Sequence, residues 1–254
     1  MGTPQLPAPF FTLAEQFAID LPGARAMFTT RRGGVSAGPY ASLNLGLMTD
    51  DEPEAIRHNR RGVEALAGSP VGFVHQVHGT ALLPTTAAAA AQRSIAGPGE
   101  LPEADGQLAT ERGCGLAALT ADCLPVAVAG AGGVAMLHAG WRGLAAGILE
   151  RGVERLRALG VSGQLSAAIG PGAGPCCYEV GAEVHAAFAD EPARVHRGAN
   201  LDLPAIAARR LHAAGVAEVH DICLCTICSD RALFFSHRRD AGVTGRQAGV
   251  AWLT

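Results

Sequence analysis

Asp122-Cys123-Leu124-Pro125-Val126-Ala127-Val128-Ala129, Gly130-Ala131-Gly132-Gly133, and Val134-Ala135-Met136-Leu137-His138-Ala139-Gly140-Trp141-Arg142-Gly143 run consecutively and decide the fold. Two short apolar runs around a glycine-rich turn predict a β-hairpin. Pairing Ala129 with Val134 sets His138 opposite Pro125, so Cys123 and His138 emerge at the same end. With strands roughly 4.8 Å apart and roughly 3.3 Å per residue, the two side chains can share one small ligand. A thiolate beside an imidazole suits Zn²⁺ or copper.

Upstream, Leu116–Thr120 reads as a buried strand that delivers Asp122 to the same place. Asp122 there is either a carboxylate behind a metal-bound histidine or a turn-former. Val71–Thr80 reads as another strand, closed by Gly79. Its two histidines, His75 and His78, are three residues apart and point to opposite faces, and His78, at the strand end, is the candidate third ligand. Downstream, Trp141-Arg142-Gly143 turns into a helix expected from Leu144 to about Leu159, stopped by Gly160, with Ile148, Val153, Leu156 and Leu159 inward.

Phe28-Thr-Thr-Arg31-Arg32-Gly-Gly-Val-Ser36 sets two arginines at a Gly-Gly turn, an anion cradle or a solvated turn. Ser42-Leu43-Asn44-Leu45-Gly46 follows as a short strand or turn. A helix from Asp51-Glu52-Pro53 to about Ala67 carries Ile56, Val63 and Leu66 on one stripe, where Asn59 and Arg60 also fall. A buried Arg60 needs either a carboxylate or a bound anion as its partner. Residues 83–103 read as a surface excursion with a short helix. Ala167–Glu179 is a strand running into a Gly-Pro loop, not a dinucleotide fingerprint, because its glycine spacing is wrong and prolines interrupt it. Further helices are expected up to Phe188 and from Asp202, its N-cap, to Gly215. Cys223-Leu-Cys225-Thr-Ile-Cys228 has no second Cys-x-x-Cys elsewhere and is read as structural, with one metal per chain. Arg238, Arg239 and Arg246 either bind a substrate anion or pair with acids.

The 254 residues are 48% hydrophobic and only 5% aromatic, with 33 Gly, a composition of many short elements joined by tight turns. A net charge of −3 leaves no nucleic-acid footprint. No apolar run is long enough for a membrane helix, and the N-terminal residues lack a signal-peptide pattern, so a cytoplasmic location is expected. Seven cysteines in a reducing compartment point to ligands, nucleophiles or packing rather than a disulfide framework. Residues 1–24 are expected to form a loop-like, extended N-terminal segment anchored by little beyond Phe10, Phe11 and Leu13, and residues 25–254 a single catalytic domain.

Taken together, Thr29–Ser36, Ser42–Gly46, Gln76-Val-His-Gly79, Thr120–Val126, His138–Gly143, Ile169-Gly-Pro through Cys176-Cys-Tyr-Glu-Val180, Cys225-Thr226, Phe234–Asp240 and Gly245-Arg-Gln247 resemble the laccase-domain family of bacterial polyphenol-oxidase-like proteins. Its members are also described as purine nucleoside phosphorylases. The resemblance implies an α+β domain with mixed sheets sandwiched between helices, similar in architecture to toxin deamidases of the cysteine-hydrolase type. It also implies that His78, Cys123 and His138 hold a metal, Zn²⁺ or alternatively Cu²⁺. Met48 departs from the pattern, since many relatives carry His there.

The function the resemblance implies is zinc-dependent phosphorolysis of purine nucleosides, with adenosine deamination. Cys123, His138 and Asp122 are then the catalytic candidates, and Arg31, Arg32, Asn44 and Arg60 the substrate-binding ones. Small-molecule substrates, no nucleic acid, no membrane, and a monomer or weak dimer complete the expectation. Three other functions compete with it. A copper polyphenol oxidase with a multicopper centre would need many histidines, commonly in His-x-His pairs, and the nine histidines here include no such pair. A Cys-His amidase editing a peptidoglycan precursor would use Cys123 as nucleophile and His138 as base. A non-enzymatic binding module fits poorly with an open three-ligand site.

Overall fold

The hairpin forms in the expected register, with Ala129 opposite Val134 and Pro125 opposite His138. The computed structural model describes residues 4–254. In chain order the strands are β1 (Phe11–Leu13), β2 (Gln16–Leu21), β3 (Ala24–Phe28), β4 (Val71–Gly72), β5 (Leu82–Pro84), β6 (Gly106–Ala109), β7 (Gly115–Thr120), β8 (Leu124–Ala131), β9 (Gly133–Ala139), β10 (Ser162–Ile169), β11 (His196–Arg197), β12 (Asn200–Leu201), β13 (Val216–Asp221) and β14 (Gln247–Leu253). The helices are α1 (Pro53–Ala67), α2 (Ala87–Ile95), α3 (Trp141–Ala145), α4 (Ile148–Ala158), α5 (Ala182–Ala187) and α6 (Leu203–Ala213).

The hairpin β8–β9 is the middle of one six-stranded mixed sheet, ordered β13-β10-β8-β9-β6-β5. A second sheet, β1-β2-β3-β14-β7-β4, packs on its face. Period-two alternation sorts the side chains of β8. Val126 and Val128 face α4 and α6 with Leu149, Val153, Leu156, Ile206 and Leu211, while Ala127 and Ala129 meet Phe17, Ile19, Phe28 and Ala118 of the second sheet. Small residues on the inner faces let the two sheets approach closely, which accounts for an apolar yet aromatic-poor composition. On the outer face of the second sheet, α1 buries Val63 against Met27, Ala117 and Val250. The result is a single α+β domain in four layers: helix, sheet, sheet, helix. Among the described residues no helix is long and apolar enough to cross a membrane.

Three expectations are corrected. The N-terminal segment is not a loosely held arm: β1 and β2 pair antiparallel, and β2 pairs with β3, which burys Phe10, Phe17, Ile19 and Leu21 in the inter-sheet core. Met1–Thr3 of that segment lie outside the described residues. The helix expected over 144–159 is two helices, broken at Gly147, whose φ of 88° is left-handed. The strand expected over 71–80 pairs at Val71–Gly72 and again through a single parallel bridge at His75, after which the backbone N–H groups of Val77, His78 and Gly79 donate to the Asp105 carboxylate instead of to a neighbouring strand.

Candidate metal centre and pocket

Three segments deliver the His-Cys-His cluster. His138 stands near the end of β9, Cys123 immediately before β8, and His78 on the loop after β4. One ligand atom from each lies within 4.8 Å of the others. Cys123 Sγ is 3.8 Å from His78 Nε2, and the two imidazoles meet edge to face with centroids 4.9 Å apart. Two residues with left-handed backbone shape the site: His78 itself, at φ 60°, and Asp122, at φ 93°. For residues other than glycine such geometry costs about 1–3 kcal/mol each, and surrounding bonds must hold it.

Asp105 supplies those bonds for His78. It is fully buried, and its Oδ1 accepts from His78 N (2.9 Å) and His138 Nδ1 (2.8 Å), while its Oδ2 accepts from Gly79 N (2.6 Å) and Val77 N (3.2 Å). One carboxylate thus fixes the loop that carries His78 and the tautomer of His138, leaving His138 Nε2 for the cluster. Burial opposes the Asp105 charge, but the bonds from His138, Gly79 and Val77 prevail and hold its carboxyl below the ordinary value. Gly140 gives the cluster its room: a Cβ there would sit 2.9 Å from both Cys123 Sγ and His78 Cδ2.

The electrostatics favour a thiolate. Burial alone would raise the Cys123 thiol, yet the charge and hydrogen bond of His138, with a smaller contribution from His78, bring it down to about 6. Burial likewise disfavours the His138 cation, while Cys123 and Asp105 raise it to about 9. At neutral pH the metal-free pair is therefore thiolate and imidazolium.

A cavity of about 450 Å³ opens over the cluster. Trp141, Tyr178 and Met48 line its sides, and Arg60, Arg238 and Arg246 bring positive charge to it. Burial and the negative charge of Cys123 push the Tyr178 phenol up to about 12, so it stays a proton donor. Arg60 is 3% exposed, stacks 3.6 Å from the centroid of Phe73, and donates through Nε and one terminal nitrogen to Leu45 O. Its other terminal nitrogen has no partner. Of the two partners anticipated for Arg60, a carboxylate or a bound anion, no carboxylate is bonded to it; a backbone carbonyl and an aromatic face hold it, and one terminal NH₂ group is left over. Burial lowers the guanidinium to about 9, against the attraction of Glu64, and it remains a cation at neutral pH.

The other candidates lie elsewhere. Arg31 donates to Ala41 O, Pro39 O and Arg231 O and stacks on Phe235, and Arg32 donates to Ala232 O. Neither lines the pocket. Backbone carbonyls hold the Arg31 guanidinium, while Arg32 gives Nε to a carbonyl and sets a terminal nitrogen 4.0 Å from Asp230, so the Gly-Gly turn stands apart from the pocket. Asn44 is fully buried behind the wall, and its Oδ1 accepts from Gly46 N and Arg246 N, positioning two pocket-lining residues. Asp122 touches the pocket but does not back a histidine: its carboxylate accepts from Thr226 Oγ1 (2.6 Å) and Arg238 N (2.7 Å). The histidine-backing role, one of the two readings offered for Asp122, falls to Asp105, an acid immediately before β6.

The fold and site define an α+β sandwich whose two central sheets carry a His/Cys cluster, backed by a buried carboxylate, at the floor of a ligand-sized pocket. The chain belongs to the laccase-like family: residues 25–254 match the family model described as multi-copper polyphenol oxidoreductase laccase. It is 40% identical over 241 residues to a Pseudomonas aeruginosa protein named purine nucleoside phosphorylase, covering 90% of this chain and 93% of that one. It is 37% identical over 243 residues to Escherichia coli purine nucleoside phosphorylase YfiH, covering 91% and 94%. The solved structure of YlmD from Geobacillus stearothermophilus superposes with a TM-score of 0.89 at 34% identity, over 97% of this chain and 99% of that one. A Neisseria meningitidis protein of the same family gives 0.80 at 35% identity, over 94% and 99%.

Proposed function

We propose that this protein is a metal-dependent purine nucleoside phosphorylase, acting on adenosine, inosine, guanosine and methylthioadenosine, that also deaminates adenosine hydrolytically. The observation that carries the reading is the meeting, in one cavity, of a three-ligand His/Cys cluster and a buried arginine with a spare N–H. Purine nucleoside phosphorylase is also the name borne by the relatives.

The donor set fits Zn²⁺, and Cu²⁺ as an alternative: one thiolate, two imidazoles, one of them oriented by a carboxylate, and room left by Gly140. His78, Cys123 and His138 would hold the ion. When bound, it would supply Lewis acidity to an oxygen of the substrate, since a set of three protein ligands suits a catalytic rather than a purely structural ion. Arg60, with Arg246 and Arg238 beside it, holds phosphate by charge-assisted hydrogen bonds. The rings of Trp141 and Tyr178 offer flat apolar surface to the base, and the protonated Tyr178 hydroxyl can donate to a ring nitrogen as the glycosidic bond breaks. A cavity of about 450 Å³ lies within the roughly 300–1,000 Å³ of small-molecule sites. In this reading the protein is a cytoplasmic enzyme of small molecules, a monomer or weak dimer, with no nucleic-acid or membrane partner.

One observation favours a second reading. Without metal, Cys123, His138 and Asp105 have the nucleophile, base and orienting carboxylate of a thiol hydrolase. The two readings separate on one preparation assayed with inosine plus phosphate, with adenosine and with a model amide. Nucleoside turnover lost on chelation and restored by Zn²⁺ supports the first; amide hydrolysis that rises on chelation and ends on alkylation of Cys123 replaces it with the second.

A further inference from the structure

Four of the remaining cysteines converge far apart in sequence. Cys176 and Cys177 lie in the turn after the Gly-Pro loop, where Cys177 N and Tyr178 N both donate to Gly174 O. Cys225 and Cys228 lie in the loop after β13. A short parallel bridge between Gly172 and Cys225, with Thr226 N donating to Gly172 O at 2.9 Å, draws the loops together. All four sulfurs fall within 4.8 Å of one another. No second Cys-x-x-Cys marks this arrangement in the sequence, because the second pair is adjacent, Cys176-Cys177. Cys223, the remaining member of the 223–228 set, turns away and donates to Asp221 O.

We propose that Cys176, Cys177, Cys225 and Cys228 form a tetrathiolate Zn²⁺ site, separate from the His-Cys-His cluster and structural in role. The dimensions suit it. A tetrahedron with Zn–S bonds of about 2.3 Å has sulfur–sulfur edges of about 3.8 Å. Cys176 and Cys228 stand 3.4 Å apart, near that edge and well beyond the roughly 2.05 Å of a disulfide. Packing does not explain the cluster, since Cys176 and Cys228 are exposed, whereas Cys114, a packing thiol, is fully buried. Cys225 is set up as an acceptor, since Gly174 N donates to its Sγ at 3.3 Å, whereas burial and the neighbouring sulfurs push the Cys176 and Cys177 thiols up, so these two give up their protons only to a bound cation. Gly174 also clears the way, because a Cβ there would press on Cys225 Cβ at 3.2 Å and Cys176 Sγ at 3.4 Å. On binding, each thiol gives its proton to solvent and its sulfur to the metal, with no change of oxidation state.

The site would staple together two loops that furnish the pocket. One continues directly into Tyr178; the other holds Thr226, whose hydroxyl donates to Asp122 beside Cys123. Four protein ligands leave no open position, so no turnover is expected at this site.

The test uses Co²⁺ in the full-length Cys123→Ala protein, where the His-Cys-His cluster no longer offers sulfur. Thiolate-to-cobalt charge-transfer absorption, at about one equivalent and displaced by Zn²⁺, must then come from the cysteine cluster. It should disappear when Cys176→Ser and Cys228→Ser are added. Elemental analysis of the unaltered protein should give about two zinc per chain, one more than the sequence suggests. Absence of the charge-transfer band in Cys123→Ala, with all its thiols reacting as free groups or recovered as disulfides, would overturn the proposal, as would iron in place of zinc at these cysteines. The Cys123→Ala measurement leaves the cluster intact, so the outcome does not depend on whether the serine variants fold.

Discussion

Replacing Asp105 by Asn changes one atom of the buried carboxylate from acceptor to donor and tests how the site is held. Each carboxylate oxygen accepts two bonds, one pair from His78 N and His138 Nδ1, the other from Val77 N and Gly79 N. Whichever way the amide turns, its NH₂ faces one of these pairs, so two bonds to an anionic acceptor are lost. At about 1.5–3 kcal/mol for each charge-assisted bond, the variant loses about 3–6 kcal/mol. That is a large share of the roughly 5–15 kcal/mol net stability of a domain. Thermal unfolding should fall on the order of 10 °C, and zinc affinity, measured by chelator competition, roughly 10–100-fold. The pH dependence has a definite sign. Because the folded carboxyl lies below its unfolded value of about 3.9, its contribution is complete above that pH and is lost as pH falls through the folded value. Asp105→Asn should therefore flatten the acid side of the stability curve. Unchanged metal affinity with an unaltered acid limb would refute the orienting role.

Arg60→Lys keeps the charge but loses the spare N–H and the stack on Phe73, and the KM for phosphate should rise about tenfold, the worth of one charge-assisted bond; phosphate saturation at fixed inosine reads this directly, and an unchanged KM removes Arg60 from the phosphate site. Asp122→Ala should cost about 2–4 kcal/mol through two lost bonds and a left-handed backbone, with metal affinity near that of the parent; a loss of metal would give Asp122 back the role that falls to Asp105. Gly140→Ala should weaken zinc binding at the first cluster while the protein stays folded, since the new methyl meets Cys123 Sγ and His78 Cδ2; undiminished binding would contradict the cradle.

Local patterning made the hairpin legible down to its register, because alternation and a glycine turn specify pairing between neighbours in sequence. Capping chemistry likewise placed α6, where Asp202 accepts from Ala205 N. Long-range polar partners were not legible. Asp105 is 33 residues from His138, and nothing local marks it as more than an acid before a strand. Arg31 and Arg32 look like anion binders beside a Gly-Gly turn, but each donates to a carbonyl about 200 residues away, Arg231 O and Ala232 O, and neither lines the pocket. Of the N-terminal strands, β1 is hidden by a tight Ala14-Glu15 turn without the usual glycine, with Ala14 at φ 53°, whereas the β2–β3 turn carries an ordinary signal, Pro22-Gly23 with Gly23 at φ 69°. The cysteine cluster escaped for the same reason as Asp105: two pairs about 50 residues apart meet only through the Gly172–Cys225 bridge.

The central claim, that nucleoside chemistry at this pocket requires a metal held by His78, Cys123 and His138, is tested most directly by inosine phosphorolysis in one preparation before metal removal, after it, and after Zn²⁺ is returned. The account predicts activity, its loss and its recovery, with adenosine deamination following the same course. Full phosphorolysis in rigorously metal-free protein would contradict it.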